Sequence, residues 1–278
     1  METFNWRIPR SLASKLGEEA VAIIDAGRYE SPSGGKVDIA ALIESSRAGT
    51  ESFPPDRSTP AVRQGTSDTV IEIENETTLA AGHRLLRSGL NPVVLNFASA
   101  IHPGGGFLSG ARAQEEYLAR SSGLYACLVG NPMYAFHRER YDPLYSDYVI
   151  YSPGVPVFRD DSGALLEDPY SIGIITSPAV NAAELPVSRT EEIEGAMRGR
   201  IRKVLSVGHL HGHNAIVLGA WGCGAFGNDY RSMATLFKEC FEADFSGSYE
   251  RIVFAIVDTW EDQRTIGPFR EVFGDLEH

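Results

Sequence analysis

Apolar positions at Leu12, Leu16, Ala20, Ile23 and Ile24 follow one face of a helix over residues 10–26, and Gly27 supplies its stop. Residues 29–37 (YESPSGGKV) read as a short hairpin, with Asp38 placed to cap a second helix ending near Ser46. The segment 50–60, with Pro54, Pro55 and Pro60 among Ser and Thr, reads as a linker. Beyond it, strand and helix patterns alternate. Residues 69–74, 92–98, 148–151, 171–176, 215–219 and 251–259 are strand-like, and a hairpin over 157–166 turns at Asp160-Asp161-Ser162-Gly163. Helices are predicted over 78–88, 114–128 and 230–242, and along the stripe Ile193, Met197, Ile201, Val204 and Leu205, with Ser188 and Glu191 as its capping box. Strands that are apolar on both faces, alternating with helices, predict an α/β domain with helices on both sides of a parallel or mixed sheet. The reading divides the chain into a helical accessory extension, 1–60, and a main domain, 61–278.

Length and composition agree with one sizeable core. The chain has 278 residues, 43% of them hydrophobic and 22% charged, which excludes bulk disorder. A formal net charge of −12 argues against direct binding of duplex DNA. Cys127, Cys223 and Cys240 are odd in number and widely spaced, so no disulfide framework or zinc site is expected. The opening residues METFNWRIPRSLASK hold no apolar signal core, and no window of 18 consecutive apolar residues occurs. A cytoplasmic monomer without a membrane segment is the expectation.

Two Gly-rich segments directly follow predicted strands, where α/β folds bind ligands. In the first, Gly104, Gly105 and Gly106 remove every Cβ from a loop that leads to Gln114, Glu115 and Glu116 at a helix start. Taken alone, Glu at a helix start only complements the helix dipole; the glycine loop upstream turns the reading toward chemistry. The second segment, 218–229 (LGAWGCGAFGND), places four glycines within nine positions. It suits a diphosphate cradle of main-chain amides and is neither a Walker A loop nor a dinucleotide fingerprint. Phe226, ordinarily a core residue, is flanked by Ala225 and Gly227 and reads as ligand-facing.

Other residues read more plainly. His209, His211 and His213 lack a carboxylate or Cys partner at ligand spacing and suit a helix C-terminus. Cys223 has no paired His and reads as a small residue permitting close backbone approach. Arg198, Arg200, Arg202 and Lys203 read as a solvated helix face.

The sequence GGG, seven residues, then QEE, together with WGCGAFGN and GARAQEEYLARSSGLY, resembles the bacterial-type poly(ADP-ribose) glycohydrolases. The resemblance runs from about Thr69 to the C-terminus, and less specifically over residues 1–60. It implies a macrodomain-like three-layer α/β/α sandwich with a mixed central sheet. It implies Glu116 as the catalytic carboxyl, Glu115 holding a ribose hydroxyl, and Gly105 and Gly106 beside the distal ribose and diphosphate, with Gly104 in the same substrate-binding loop. It further implies Gly222, Cys223, Gly224, Ala225, Phe226 and Gly227 around the diphosphate, with Phe226 over the distal ribose, and Gln114 in the site. Asn96 matches the first Asn of the related macrodomain motif NAAN; the second falls at Ser99, a departure. Glu74 and Thr77 are positional guesses for the adenine end.

Adjacent glutamates cannot form the facing carboxylate pair of ordinary glycosidases. One carboxyl, Glu116, would therefore serve as acid and then as base at a ribose–ribose bond, with no metal and no cofactor. The implied partners are poly(ADP-ribose) or ADP-ribosylated proteins as substrate and ADP-ribose as product ligand. A non-hydrolysing ADP-ribose reader and an unrelated nucleotide hydrolase or transferase remain as competing readings.

Overall fold

The computed structural model describes residues 8–60, 62 and 65–274. Residues 1–7 of the extension, Ala61, where the sequence reading starts the main domain, and the last four residues lie outside them. Arg10–Ala26 forms α1, which ends where Gly27 turns into the left-handed region at φ 65°. The hairpin of β1 (Arg28–Glu30) and β2 (Lys36–Asp38) follows. Asp38 Oδ1 accepts from Ala40 N at 3.0 Å at the head of α2 (Ala40–Ala48). Ala20, Ile23, Tyr29, Ile39 and Ile43 bury against Phe158 as a small core of their own.

The main sheet has seven strands: β3 (Glu51–Phe53), β4 (Val70–Glu74), β5 (Pro92–Phe97), β6 (Val149–Arg159), β7 (Leu165–Ser177), β8 (Ala215–Leu218) and β9 (Arg251–Ala255), in the order β3-β6-β7-β5-β8-β9-β4. The run from β7 to β4 is parallel throughout, while β6 and β3 add antiparallel pairs at one edge. Helices α3 (Thr78–Arg87), α4 (Gln114–Ser121), α5 (Leu124–Leu128) and α6 (Pro132–Glu139) precede β6, and α7 (Glu192–Leu210), α8 (Tyr230–Asp244) and α9 (Gly267–Phe273) come later. Strand side chains alternate between two cores. Val93 and Leu95 of β5 and Ile216 and Leu218 of β8 join Met197 of α7 and Phe237 of α8 on one face. Val94 and Val217 join Leu79 of α3 and Leu118 of α4 on the other. Period-two alternation with both faces apolar thus produces the three-layer, macrodomain-like sandwich that was expected. Each fully buried Val or Leu contributes about 1.5–3 kcal/mol.

Several local readings change. The segment 50–60 contains β3, whose Glu51, Ser52 and Phe53 pair with Tyr151, Ile150 and Val149. The extension is therefore stitched into the sheet. The single helix over 114–128 is two, because Ser122 turns out to bridge Val157, and Gly123 packs so closely on Pro156 that a Cβ would lie 3.0 Å from its ring. The Ser188–Glu191 capping box does not form: a short 3-10 turn at Val187–Arg189 intervenes, and Arg189 pairs with Glu192 instead. The solvated face assigned to the basic run of α7 holds for Arg198 and Arg202 but not for Arg200 and Lys203, which are buried. Arg200 donates to the Leu144 and Ser146 carbonyls, and Lys203 to Pro54 O at 2.7 Å. Both lie three residues from Met197 or from each other, on the face turned to the sheet. Among the described residues, no helix is long and apolar enough to cross a membrane.

Candidate active site

The carboxyl ends of the neighbouring strands β5 and β8 open into a cleft of about 390 Å³. Three consecutive residues in the first turn of α4 turn to three different partners, as positions about 100° apart on a helix must. Gln114 reaches back to β5: its Oε1 accepts from Phe97 N at 2.9 Å, and its Nε2 donates to Leu95 O at 2.7 Å and Thr78 Oγ1 at 3.0 Å. Glu115 turns to the strand end, where Ser99 N donates to Oε2 at 2.7 Å and Asn96 Nδ2 to Oε1 at 3.4 Å. Glu116 turns to the glycine loop. Gly106 N donates to its Oε1 at 2.9 Å, and Ala113 N, at the helix cap, donates to its Oε2 at 2.8 Å. The last bond is one half of a capping box, supplied by a glutamate at N3.

The glycine loop fits around these carboxyls. Gly105 has φ 60°, and a Cβ there would lie 2.3 Å from Glu116 Oε1 and 3.0 Å from Glu115 Oε2. No side chain can occupy that position while both glutamates keep their places. Glu115 and Glu116 are both buried. Burial pushes the Glu115 carboxyl up to about 8, and the charge of Glu116 adds to the effect, against the Ser99 and Asn96 hydrogen bonds. The Glu115 carboxyl therefore binds a proton more readily than an exposed glutamate does.

The second glycine segment forms the facing rim. Gly222, at φ 76°, runs so close to Ala179 that a Cβ would lie 2.5 Å from its methyl carbon. Asn228 fixes the loop from behind, with Nδ2 donating to Val180 O at 2.7 Å and Gly222 O at 3.0 Å. Phe226 is half-buried at the cleft, with the Tyr145 ring 6.1 Å from its own. Tyr145 itself sits at φ 52°, a region few non-Gly residues adopt.

Of the residues singled out from sequence, Ser99, Gln114, Glu115, Glu116, Gly222, Gly224, Ala225 and Phe226 line this one cleft. Asn96 lies behind it, fully buried between Glu115 and Thr176 Oγ1. Gly104, Gly105 and Gly106 stand behind the glutamates and do not form its wall. Cys223 faces the core, where burial pushes its thiol up, and Gly227 lies off the cleft. Thr77 lines the cleft but is engaged in capping α3 and in bonds to Asp161 at 2.9 Å, while Glu74 does not line it. Tyr117 OH also binds Asp161.

Sequence reading missed much of the remaining wall, including Arg112, Trp221, Tyr230, Ile256, Val257 and Thr265. The last three belong to a loop after β9 that the apolar run RIVFAIVDT disguises as strand. Asp258 shapes that loop by accepting from the Trp260, Thr265 and Ile266 amides at 2.8–2.9 Å. Burial works against its charge, yet these bonds hold it below the usual carboxylate range. Among the described residues, no group of three His, Cys, Asp or Glu side chains is placed to hold a metal ion. His213 instead bonds Tyr151 OH at 2.9 Å, and His211 stacks on the Tyr151 ring.

A mixed α/β sandwich with two acidic residues buried under a glycine loop, facing a second glycine loop across a cleft, defines a macrodomain-like fold with hydrolytic equipment. The family description "Microbial-type PARG, catalytic domain", where PARG is poly(ADP-ribose) glycohydrolase, matches residues 17–160. The poly(ADP-ribose) glycohydrolase of Thermomonospora curvata superimposes with a TM-score of 0.90 at 47% identity, over 95% of this chain and 100% of that one. The same enzyme bound to the inhibitor ADP-HPD gives 0.85 at 46% identity, over 94% and 99%. The glycohydrolase of Deinococcus radiodurans in complex with ADP-ribose gives 0.81 at 41% identity, over 86% and 100%. Comparison with curated protein sequences finds no match. The chain belongs to the microbial-type poly(ADP-ribose) glycohydrolase family.

Proposed function

We propose that the protein hydrolyses the ribose–ribose O-glycosidic bonds of poly(ADP-ribose) and releases ADP-ribose, with Glu116 as the single acid and base. The observation that carries this reading is the seating of Glu116. Its two oxygens are aimed by the Gly106 and Ala113 amides, at the mouth of a cleft whose other rim is the glycine loop 219–227. Protonated Glu116 gives its proton to the leaving 2′-oxygen as the C1″–O bond breaks and oxocarbenium character develops at C1″. The carboxylate then takes a proton from water as the water oxygen bonds to C1″. The reaction so written requires no metal and no cofactor.

Glu115, whose carboxyl burial pushes toward the protonated form, is suited to donating a hydrogen bond to a ribose hydroxyl, and Asn96 and Ser99 hold it in place. Its raised pKa also favours a second reading, in which Glu115 is the proton donor and Glu116 the group that holds the sugar. Backbone amides of residues 222–227 take the diphosphate, and Phe226 covers the distal ribose.

The division at residue 60 is a division of labour in this reading. Every described residue lining the cleft follows it, and the earlier segment braces the loop that holds Glu116. Poly(ADP-ribose) or ADP-ribosylated protein is the substrate, and the active form is a cytoplasmic monomer. Incubation with automodified poly(ADP-ribose) in EDTA, with chromatography of the products, tests the reading. Release of ADP-ribose by wild type and its loss in Glu116→Gln support it. Binding of ADP-ribose without release by wild type favours the reader. Release that persists in Glu116→Gln and vanishes in Glu115→Gln favours the exchanged roles.

A further inference from the structure

Of the described residues lining the cleft, Arg112 alone carries a positive charge. It is exposed, and no described carboxylate lies within ion-pair distance of it. Its Nη1 donates to the Ile8 carbonyl at 2.9 Å. Among the described residues, that bond leaves the Nε and Nη2 edge of the guanidinium for a ligand, the edge that suits two phosphate oxygens.

The backbone around Arg112 is fixed from both sides. Its neighbour Ala113 holds Glu116 Oε2 at 2.8 Å. On the other side, Gly110 lies against the first turn of α1 so closely that a Cβ would meet the Arg10 carbonyl at 2.2 Å. Ser14 Oγ donates to Leu108 O at 2.5 Å from the same helix. The N-terminal segment thus carries the Arg112 loop and sets its cation on the wall of the cleft that Glu116 also lines.

The ADP-ribose unit being released does not require this cation, because its diphosphate is assigned to the amides at the end of β8. The leaving side of the bond has a diphosphate of its own. The oxygen protonated by Glu116 is the 2′-oxygen of the preceding adenosine, and that ribose bears its 5′-phosphate one sugar away. Building on the proposed glycohydrolase activity, we propose that Arg112 binds the diphosphate of this preceding unit. The Ile8–Arg112 corner is then a second phosphate subsite, which selects a polymeric leaving group. A chain of net charge −12 needs such a local cation to seat a polyanion beside two buried carboxyls.

The test compares two leaving groups. One substrate is poly(ADP-ribose); the other is ADP-ribose bearing an uncharged phenolic aglycone at C1″, which has no phosphate on the leaving side. Arg112→Gln is expected to raise KM for polymer about tenfold and to reduce kcat/KM for polymer far more than for the aglycone substrate. Arg112→Lys should recover part of the difference. The polymer KM of wild type should climb with salt more steeply than that of Arg112→Gln. Equal losses on the two substrates would overturn the proposal and assign Arg112 to positioning Glu116 through Ala113, and an unchanged polymer KM would also overturn it. Polymer and ADP-ribose affinities of Glu116→Gln protein, with and without Arg112→Gln, make the same comparison without turnover. A wild-type protein that releases no ADP-ribose from polymer would fail the glycohydrolase reading separately, leaving this binding comparison to decide the subsite.

Discussion

Replacing Gly105 by Ala separates backbone strain from loss of catalytic geometry. The position has φ 60°, so any side chain adds a left-handed penalty of about 1–2 kcal/mol. A second effect is specific to the site: the new methyl carbon would lie 2.3 Å from Glu116 Oε1, where ordinary contact begins near 3.4 Å. Glu116 must withdraw by about an ångström, which pulls it from Gly106 N, and a misplacement of that size costs about 100-fold in rate. Gly34→Ala is the control. Its φ is 85° and a Cβ there meets nothing within 4 Å, so it carries the strain alone, in the hairpin of the extension. By thermal melting Gly34→Ala should lose the strain penalty alone, and Gly105→Ala at least that much. Only Gly105→Ala should lose about 100-fold in kcat for ADP-ribose release from polymer. A Gly105→Ala protein with kcat within about twofold of wild type would refute the close fit of glycine loop and carboxyl from which the loss is derived.

Glu116→Gln should lower polymer hydrolysis by about 100- to 10,000-fold, while calorimetry finds ADP-ribose affinity little changed. Phe226→Ala should weaken turnover by an amount equivalent to about 1–3 kcal/mol with a small change in melting temperature; a core-sized stability loss of about 3–5 kcal/mol would remove Phe226 from the site. Glu115 binds a proton more tightly folded than unfolded, since its carboxyl rises from 4.5 to about 8. Its contribution to stability is therefore complete below pH 4.5 and is lost as pH rises to about 8, with a slope of up to about 1.4 kcal/mol per pH unit. Melting curves of Glu115→Gln should lack this loss relative to wild type. All three cysteines are buried, and iodoacetamide at neutral pH should leave activity intact; rapid inactivation with labelling of Cys223 would contradict its placement in the core.

The elements most legible in the sequence were those whose apolar pattern had one explanation. β5, β8 and α8 bury alternating or helical-face residues and stand close to their expected bounds. Patterns with a second cause misled. Arg200 and Lys203 read as solvent-facing by charge alone, yet carbonyls of the loops at 144–146 and at Pro54 satisfy them within the core. β3 is three residues long among prolines, too short to show alternation, and only its partner β6 defines it as a strand. The helix α6 begins with Asn131 as cap and Pro132 in its first turn, a start signal legible in the sequence although the short helix behind it has no long apolar stripe. The cleft wall at Ile256, Val257 and Thr265 carries no local mark, because an apolar residue beside a ligand and one inside a sheet look alike in sequence.

The site was legible for a different reason: its chemistry is written into a helix start. Gln114, Glu115 and Glu116 occupy the first turn of α4, where backbone amides lack helical partners and neighbouring side chains fan apart. The first residue ties the helix to β5, the second turns to the strand end, and the third closes onto the amide of Ala113. A glutamate at the third position is ordinary capping, and its second oxygen would normally face water. Here that oxygen meets the amide of Gly106, and it can do so only because Gly105 beside it has no Cβ. The triple glycine and the acidic pair therefore depend on each other physically. A side chain at Gly105 would displace the carboxyl, and without the carboxyl the amide of Gly106 would lose its acceptor. That mutual requirement is why the two short motifs, separated by a seven-residue loop braced on α1, identify the site when neither does so alone.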